Sequence, residues 1–200
     1  RPGALVMGVL NVTPDSFSDG GRFTRPDAAV AQAERLVEAG ADIVDIGGES
    51  TRPGAEAVAL EEERRRVMPL LEVLGERLPT VPLSLDTSKP ELMAEAGAAG
   101  AALINDVRAL AEPGAIQAVA ARSCYACVMH MQGQPRTMQS DPAYGDVVGE
   151  VGDFLEQRVA ACVAGGIARE RLIVDPGFGF GKTLAHNLSL LHHLESIVRR

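Results

Sequence analysis

The sequence predicts an α/β fold built on parallel strands, with the (β/α)8 TIM barrel as the favoured architecture. Six short apolar runs alternate with six longer segments of helical periodicity, which is typical of parallel strands joined by right-handed helical crossovers. Nearly every apolar run also ends at its carboxyl side in a polar, functional-looking residue. A doubly wound sheet, the competing architecture, gathers its site at one switch point, whereas a barrel draws on the ends of many strands.

The predicted strands share a short length and a predominance of apolar side chains. They are Leu5–Leu10, Ile43–Gly47, Leu83–Asp86, Ala102–Asn105, Ala126–His130 and Leu172–Asp175. The polar residues at or just after their carboxyl ends are Asn11, Glu49, Asp86, Asn105, His130 and Asp175.

The predicted helices lie between these strands, with Asp27 as a cap for the first, Gly40 as its stop and Pro90 in the first turn of the third. The charged run from Glu61 to Arg66 is interpreted as a solvated helix surface with i,i+4 ion pairs. The helices are Asp27–Ala39, Leu60–Leu78, Pro90–Ala99, Ala115–Arg122, Asp146–Ala164 and Asn187–Arg199.

The domain organisation follows from the count of β-α units. No low-complexity linker interrupts the chain, so we predict one domain spanning residues 1–200. A closed barrel needs eight strands, and about six units are present. We therefore expect this TIM-barrel domain to be C-terminally incomplete, with its last two units missing.

Composition restricts the classes of function. The 200 residues are 46% hydrophobic and 23% charged, as in an ordinary globular protein with a sizeable core. The net charge of −8 argues against a nucleic-acid binder, so an anionic substrate would need a metal ion or local arginines.

No apolar run reaches the length of a membrane span and no signal peptide is visible, so we expect a cytoplasmic protein without a membrane partner. Cys124, Cys127 and Cys162 are expected to be reduced and structural.

The most informative segment follows the first strand and runs Asn11-Val-Thr-Pro-Asp-Ser-Phe-Ser-Asp-Gly-Gly21. A strand that ends in a long polar segment with glycines at its tip delivers reactive groups to a binding face in α/β proteins. Pro14 fixes one φ angle and the glycines permit left-handed backbone, so the segment can be both shaped and hinged.

A second polar loop follows the second strand and runs Glu49-Ser-Thr-Arg-Pro-Gly-Ala55. Arg52 stands among small residues, and its guanidinium can bind phosphate oxygens through two parallel hydrogen bonds. An exposed arginine in a capped turn would have a similar sequence, but the first loop beside it favours phosphate binding.

The segment Asp175-Pro-Gly-Phe-Gly-Phe-Gly-Lys-Thr183 has the appearance of a nucleotide-binding loop. A P-loop requires glycine six residues before the lysine, and that position is Pro176. The dinucleotide pattern fails as well, because its third glycine would fall at Lys182. Both nucleotide interpretations are therefore excluded.

Taken together, these three segments resemble, in order along the chain, the signatures of the dihydropteroate synthases of folate biosynthesis. The resemblance covers essentially the whole chain and implies a pterin-binding TIM barrel, a transferase activity and a sulfonamide target. It assigns the pterin contacts to Thr51, Asp86, Asn105, Met129, Asp175 and Phe180.

The residues themselves suit such a ligand. Asp86, Asn105 and Asp175 each close an apolar strand, and a buried carboxylate without a partner is costly. A pterin offers an amino group and ring N–H groups along one edge. Asp accepts hydrogen bonds from such donors, and Asn can both donate and accept. The alternative is that these residues cap the following helices, above all Asp86. Asp106 could simply orient its neighbours, and Met129 could equally be core filler.

The resemblance implies a condensation of 6-hydroxymethyl-7,8-dihydropterin pyrophosphate with 4-aminobenzoate to give 7,8-dihydropteroate and pyrophosphate. The aniline nitrogen is a weak nucleophile, so catalysis should act mainly on the leaving group. Mg2+ held by Asn11 and the pyrophosphate, together with Arg52, would neutralise the charge that develops on departure. Asp19 and the first loop would close over the cationic pterin methylene and exclude water. Phe17, Pro53 and Phe180 would shape the 4-aminobenzoate pocket, and a homodimer is compatible with the family.

Two other functions stay open at this point. A methyltetrahydrofolate-type methyltransferase domain shares the pterin-binding barrel, but it has no pyrophosphate to hold and would not need the loop Glu49–Ala55. A non-catalytic pterin-binding module would not need either intact loop. Pterin pyrophosphate binding in Mg2+, followed by a product assay with 4-aminobenzoate, separates the three.

Overall fold

The computed structural model describes residues 3–12, 25–50, 57–134 and 137–199, with backbone alone at residues 25 and 26. Six parallel strands form one sheet in the order in which they occur along the chain, so each strand pairs with the next. The strands are β1 Met7–Asn11, β2 Ile43–Gly47, β3 Leu83–Asp86, β4 Leu103–Asp106, β5 Tyr125–Met129 and β6 Leu172–Asp175.

A helix follows every strand within the described ranges. They are α1 Arg25–Glu38, α2 Leu60–Arg77, α3 Pro90–Ala98, α4 Ala115–Ala120, α5 Val147–Ala164, α6 Leu184–His192 and α7 Leu194–Val198, with a short 3-10 helix, Arg169–Arg171, before β6. The strand order contains no reversal, which confirms the predicted βα repetition and argues against a doubly wound sheet. None of the helices in the described ranges is both long and apolar enough to cross a membrane.

The hydrophobic core lies between the sheet and the helices. Alternate strand residues such as Leu10, Ile46 and Leu85 are fully buried against the apolar faces of the helices, including Leu71 of α2 and Leu92 of α3. Because successive strand residues point to opposite faces, the intervening positions belong to the face away from the helices. This second face carries the polar residues at the strand ends.

Several element boundaries differ from the prediction. β1 starts at Met7 and includes Asn11 as its last residue, and α1 begins at Arg25, so Asp27 lies in its first turn and is not its cap. The helix predicted as Asn187–Arg199 is two helices, α6 and α7. α6 begins earlier because Thr183 and His186 form a reciprocal capping box, an N-terminal signal that the prediction overlooked.

Candidate active site

The polar residues at the strand ends form a row across the sheet. Asn11 is in register with Gly47, Gly47 with Asp86, and Asp86 with Asn105. Residues in register on parallel strands point to the same face, so the three polar side chains share the face away from the helices. Asp175 is in register with Met129 and lies on this face too, one layer nearer the carboxyl edge. Strand pairing therefore brings together four residues that the sequence analysis selected separately.

Gly47 leaves a small space between Asn11 and Asp86. A β-carbon added to Gly47 would lie 3.6 Å from Oδ1 of Asn11 and 3.6 Å from Oδ2 of Asp86. Both oxygens therefore border the same space, with no side chain between them. Hard oxygen acceptors gathered in this way suit a cationic or donor-rich ligand.

Asp86 has the electrostatic character of a binding residue. Its carboxylate forms no hydrogen bond with any residue in the described ranges, and α3 starts without a side-chain cap. The helix-cap alternative for Asp86 is therefore wrong. Burial raises its pKa well above the ordinary value, and the negative charges of Asp45 and Asp106 raise it further. The site thus holds an acceptor for which the described protein supplies no donor.

Asn105 is held by a residue that the sequence analysis missed. Its Nδ2 donates to Oδ2 of Asp45 across 2.9 Å, and Asp45 is only 3% exposed. Burial raises the pKa of this second carboxyl group as well. A charged residue in the middle of the apolar run Ile43–Gly47 is the signal that could have identified it.

Asp175 uses one of its carboxylate oxygens to bind the backbone of the loop that follows it. Its Oδ1 accepts a 2.7 Å hydrogen bond from the backbone N–H of Gly177. Gly177 has a φ of 68°, and a β-carbon there would lie 2.0 Å from the carbonyl oxygen of His130. Only glycine fits this close approach, so the loop is pressed against the end of β5. A ligand would therefore have to use Oδ2 of Asp175.

Lys182 is the cation of this glycine-rich loop and is buried within it. Its Nζ donates to the carbonyl oxygens of Gly177 and Phe180, both at 2.9 Å, and lies 3.0 Å from Nδ1 of His130. Burial lowers the pKa of Lys182 to about 8, although nearby Asp175 opposes the change. An ammonium group turned into its own loop is not a phosphate ligand, in agreement with the exclusion of the P-loop.

His130 is a structural residue. It is buried, and its ring packs edge-on against Phe154 with a centroid distance of 4.9 Å. Burial and the adjacent Lys182 lower its pKa to about 4, so the ring is neutral at pH 7. With Lys182 as donor, Nδ1 of His130 is an acceptor, which leaves no role in acid-base catalysis for that nitrogen.

Asp106 orients the turn after β4. Its Oδ1 accepts from Ser88 Oγ at 2.5 Å and from Arg108 N at 2.9 Å, and its Oδ2 accepts from Leu110 N at 2.7 Å. These bonds hold Ala109 and Leu110 at φ values of 56° and 54°, which are unusual for residues other than glycine. Asp106 therefore shapes the backbone beside Asn105, as the sequence analysis allowed.

Glu49 joins the two ends of the second polar loop. Its Oε2 accepts from the backbone N–H of Val58 at 3.1 Å and from Nζ of Lys89 at 2.7 Å. The intervening Thr51, Arg52 and Pro53 lie outside the described residues. The structure nevertheless describes Glu49 and Val58, which lie on either side of these residues in the chain.

Glu63 also pairs with Lys89, and the sequence analysis assigned it to the wrong surface of its helix. It is fully buried and pairs with Lys89, whereas the prediction placed it on a solvated surface. Burial disfavours the Lys89 charge, but the hydrogen bonds to Glu49 and Glu63 raise its pKa above the ordinary value. The remainder of the charged run agrees with the prediction, with pairs such as Glu62 to Arg66. Helix periodicity alone did not reveal which glutamate is turned towards Lys89.

Two residues of the first loop, Phe17 and Asp19, also lie outside the described residues. Asn11 is the part of the predicted magnesium site that the structure describes. Within the described ranges no group of three or more His, Cys, Asp or Glu is placed to hold a metal ion. Asn11 fits Mg2+ as a single hard oxygen donor, because this ion commonly keeps its waters and binds substrate phosphates.

Met129 is in register with Asp175, and Phe180 lies on the loop that follows Asp175. Met129 is buried at the end of β5, and Phe180 is partly exposed on the glycine-rich loop.

The three cysteines are free and buried, and burial raises the pKa of Cys127 to about 12. Their burial agrees with the predicted structural role, and their reduced state stays a prediction.

Comparison with known proteins identifies relatives over almost the whole chain. The family model described as pterin binding enzyme matches residues 7–200. The dihydropteroate synthase of Escherichia coli K12 is 53% identical over 189 residues, covering 94% of this chain and 67% of that protein. A solved structure of dihydropteroate synthase from Xanthomonas albilineans with 4-aminobenzoic acid has a TM-score of 0.90 and 54% identity, covering 98% of this chain and 69% of that one. A structure from the same organism in complex with 7,8-dihydropteroate has a TM-score of 0.85 and 50% identity, covering 98% of this chain and 68% of that one.

Proposed function

The chain belongs to the dihydropteroate synthase family of pterin binding enzymes, and we propose that its strand-end row forms the pterin side of the active site. Its fold is the TIM barrel of that family, of which the described strands form an open six-stranded sheet. The chain is a transferase that condenses 6-hydroxymethyl-7,8-dihydropterin pyrophosphate with 4-aminobenzoate. The observation that carries the assignment of the site is the convergence of Asn11, Asp86 and Asn105 in one register row.

Pterin recognition would depend on acceptor atoms. Asp86 has no donor among the described residues, and Asp175 has committed only Oδ1 to its loop. Asn105 would present its Oδ1, since Nδ2 already binds Asp45. Three acceptors on one face of the sheet complement the amino and N–H groups of a pterin, and each would otherwise remain poorly paired. Thr51, Met129 and Phe180 would complete this pocket.

Pyrophosphate would bind at the β1 and β2 ends of the row. Asn11 would hold a magnesium ion through Oδ1, and Arg52 would donate to the phosphate oxygens. Magnesium, when bound, neutralises negative charge on the departing pyrophosphate. Arg52 supplies the same stabilisation from the protein, and Asp19 lies on the loop that would exclude water from the pterin methylene.

The second substrate would approach the methylene from the opposite side. Phe17, Pro53 and Phe180 would form the pocket for the 4-aminobenzoate ring. The role of these residues is to orient the weakly nucleophilic amine, because a correctly placed nucleophile lowers the entropic part of the barrier. The methyltransferase and non-catalytic alternatives are not retained, since the relatives named above are synthases. A homodimer and a cytoplasmic location remain predictions.

The test is formation of 7,8-dihydropteroate and pyrophosphate from the two substrates in the presence of Mg2+. Arg52→Ala should reduce activity by about 10- to 100-fold, because a charge-assisted phosphate contact contributes about 1.5–3 kcal/mol. Arg65→Ala is the matched control, since Arg65 is an exposed α2 arginine paired with Glu62. Unchanged pyrophosphate affinity in Arg52→Ala, measured by calorimetry with pterin present, would remove Arg52 from this role.

A further inference from the structure

We infer that Asp45 is a positioning residue for pterin binding, which orients the Asn105 side chain so that its carbonyl oxygen faces the ligand. This inference rests on the proposed pterin site. It concerns a residue that does not itself need to touch the substrate. The observation that carries it is the 2.9 Å hydrogen bond from Asn105 Nδ2 to Asp45 Oδ2.

The hydrogen bond crosses a strand. Asp45 belongs to β2 and Asn105 to β4, with β3 between them. Asp45 is in register with Ser84 of β3, and Ser84 is in register with Leu103 of β4. Leu103 precedes Asn105 by two residues on the same strand. Ser84 is small, so the two longer side chains can meet above it. Asp45 therefore lies one layer below the strand-end row and supports it from the interior of the sheet.

The chemistry of the pair determines the direction of the amide. The amide atom that contacts Asp45 is the nitrogen, which donates to the acceptor oxygen Oδ2. The Asn105 oxygen is then at the other end of the planar amide, available beside Asp86. Without Asp45 the amide could rotate by half a turn and present a donor to the N–H groups of a pterin. Such a mispaired contact costs binding energy.

Stability gives little reason for a carboxylate at position 45. Asp45 is 3% exposed, and besides Asn105 only the small hydroxyl of Ser84 is close enough to favour its charge within the described residues. The Ser84 contact does not have the geometry of a full hydrogen bond to Oδ1 of Asp45. A buried charge with so few donors is unfavourable for folding. Its benefit must therefore be sought in the arrangement of the group to which it binds, and that group is Asn105.

The test is a double-mutant cycle on pterin affinity. Asp45→Asn and Asn105→Ala are made singly and together, and the dissociation constant of 6-hydroxymethyl-7,8-dihydropterin is measured by calorimetry. A positioning residue acts only through the group that it positions. Asp45→Asn should therefore weaken binding about tenfold when Asn105 is present, and less than about twofold when it is replaced by alanine. The equilibrium constant for unfolding should not rise in Asp45→Asn, because the variant removes a buried charge at constant shape.

Asp42→Asn is the matched control, because it makes the same change just before β2, at the end remote from the site. Asp42 accepts from the backbone N–H of Val6, which asparagine can also do. Should Asp45→Asn not fold, Asp45→Ala takes its place in the cycle. An equal loss of affinity in both Asn105 backgrounds, or no loss in either, overturns the inference. Failure of the unmutated protein to bind the pterin would instead overturn the proposed function.

Discussion

Nζ of Lys182 lies 3.0 Å from Nδ1 of His130, so a buried cation attaches the loop after β6 to the end of β5. The same ammonium group donates to carbonyl oxygens within the loop. The position of Phe180, a predicted wall of the substrate pocket, therefore depends on a residue that has no expected contact with substrate.

Replacement of Lys182 by methionine should destabilise the protein and weaken pterin binding together. The variant removes the lysine donor from the carbonyl oxygens of Gly177 and Phe180. Gly177 O still accepts from the backbone N–H of Phe180, whereas Phe180 O is left unpaired within the described residues, and a buried unpaired group costs about 1–3 kcal/mol. Urea denaturation and pterin calorimetry measure the two effects. Lys182→Gln keeps a shorter donor and should lose less. Full stability in Lys182→Met would show that the loop does not need this cation.

Replacement of Gly47 by alanine should reduce binding without reducing stability. The added methyl group fits at 3.6 Å from the nearest oxygens, and a loss of chain entropy in the unfolded state favours alanine by about 0.4–1 kcal/mol. It would, however, occupy the space between Asn11 and Asp86. Gly75→Ala is the control, because Gly75 lies in α2 with no atom within 4 Å of the added carbon. Pterin pyrophosphate affinity unchanged in Gly47→Ala would mean that the ligand does not use this space.

Asp175→Asn should weaken pterin binding while it preserves the glycine-rich loop. Asparagine retains an oxygen that can accept from Gly177 N, but it replaces Oδ2 with a donor facing the N–H groups of the pterin. Asp175→Ala loses both interactions and should also lower the unfolding midpoint. The measurements are pterin affinity and thermal unfolding by circular dichroism. If Asp175→Asn binds pterin as well as the parent does, Asp175 serves only the loop.

Pterin affinity should increase with pH through the raised pKa of Asp86. Below that pKa the unliganded protein holds a proton on Asp86, and ring N–H donors require the ionised carboxylate. Binding must then release this proton, so affinity increases as pH increases and becomes constant above the pKa. Calorimetry in two buffers with different ionisation enthalpies measures the proton released. Asp86→Asn should abolish the release, and proton uptake by the parent would contradict the assignment.

The local sequence pattern correctly predicted the boundaries of those strands whose apolar runs end at a distinct turn or polar residue. β2, β3 and β6 have the predicted boundaries, because a turn residue or a polar side chain ends each run of branched apolar residues. The C-terminal helix was predicted less well. There the apolar periodicity continues past His193, although the backbone leaves the helical path at that residue. The spacing of apolar residues along the chain does not indicate where the backbone departs from helical geometry.

The alternation of apolar runs and the chemistry of their last residues are local properties, so a repeating β-α fold with polar strand ends can be predicted from the sequence alone. The same local signals predict Asn11, Asp86, Asn105 and Asp175 as site residues. The partners of the buried charges, such as Asn105 for Asp45, become visible only in the folded chain. These partners are many residues apart along the chain and meet only through strand register and helix packing. Hydrogen bonds and ion pairs act over a few ångströms, so the residues that satisfy a buried charge follow from the fold and not from its neighbours in sequence.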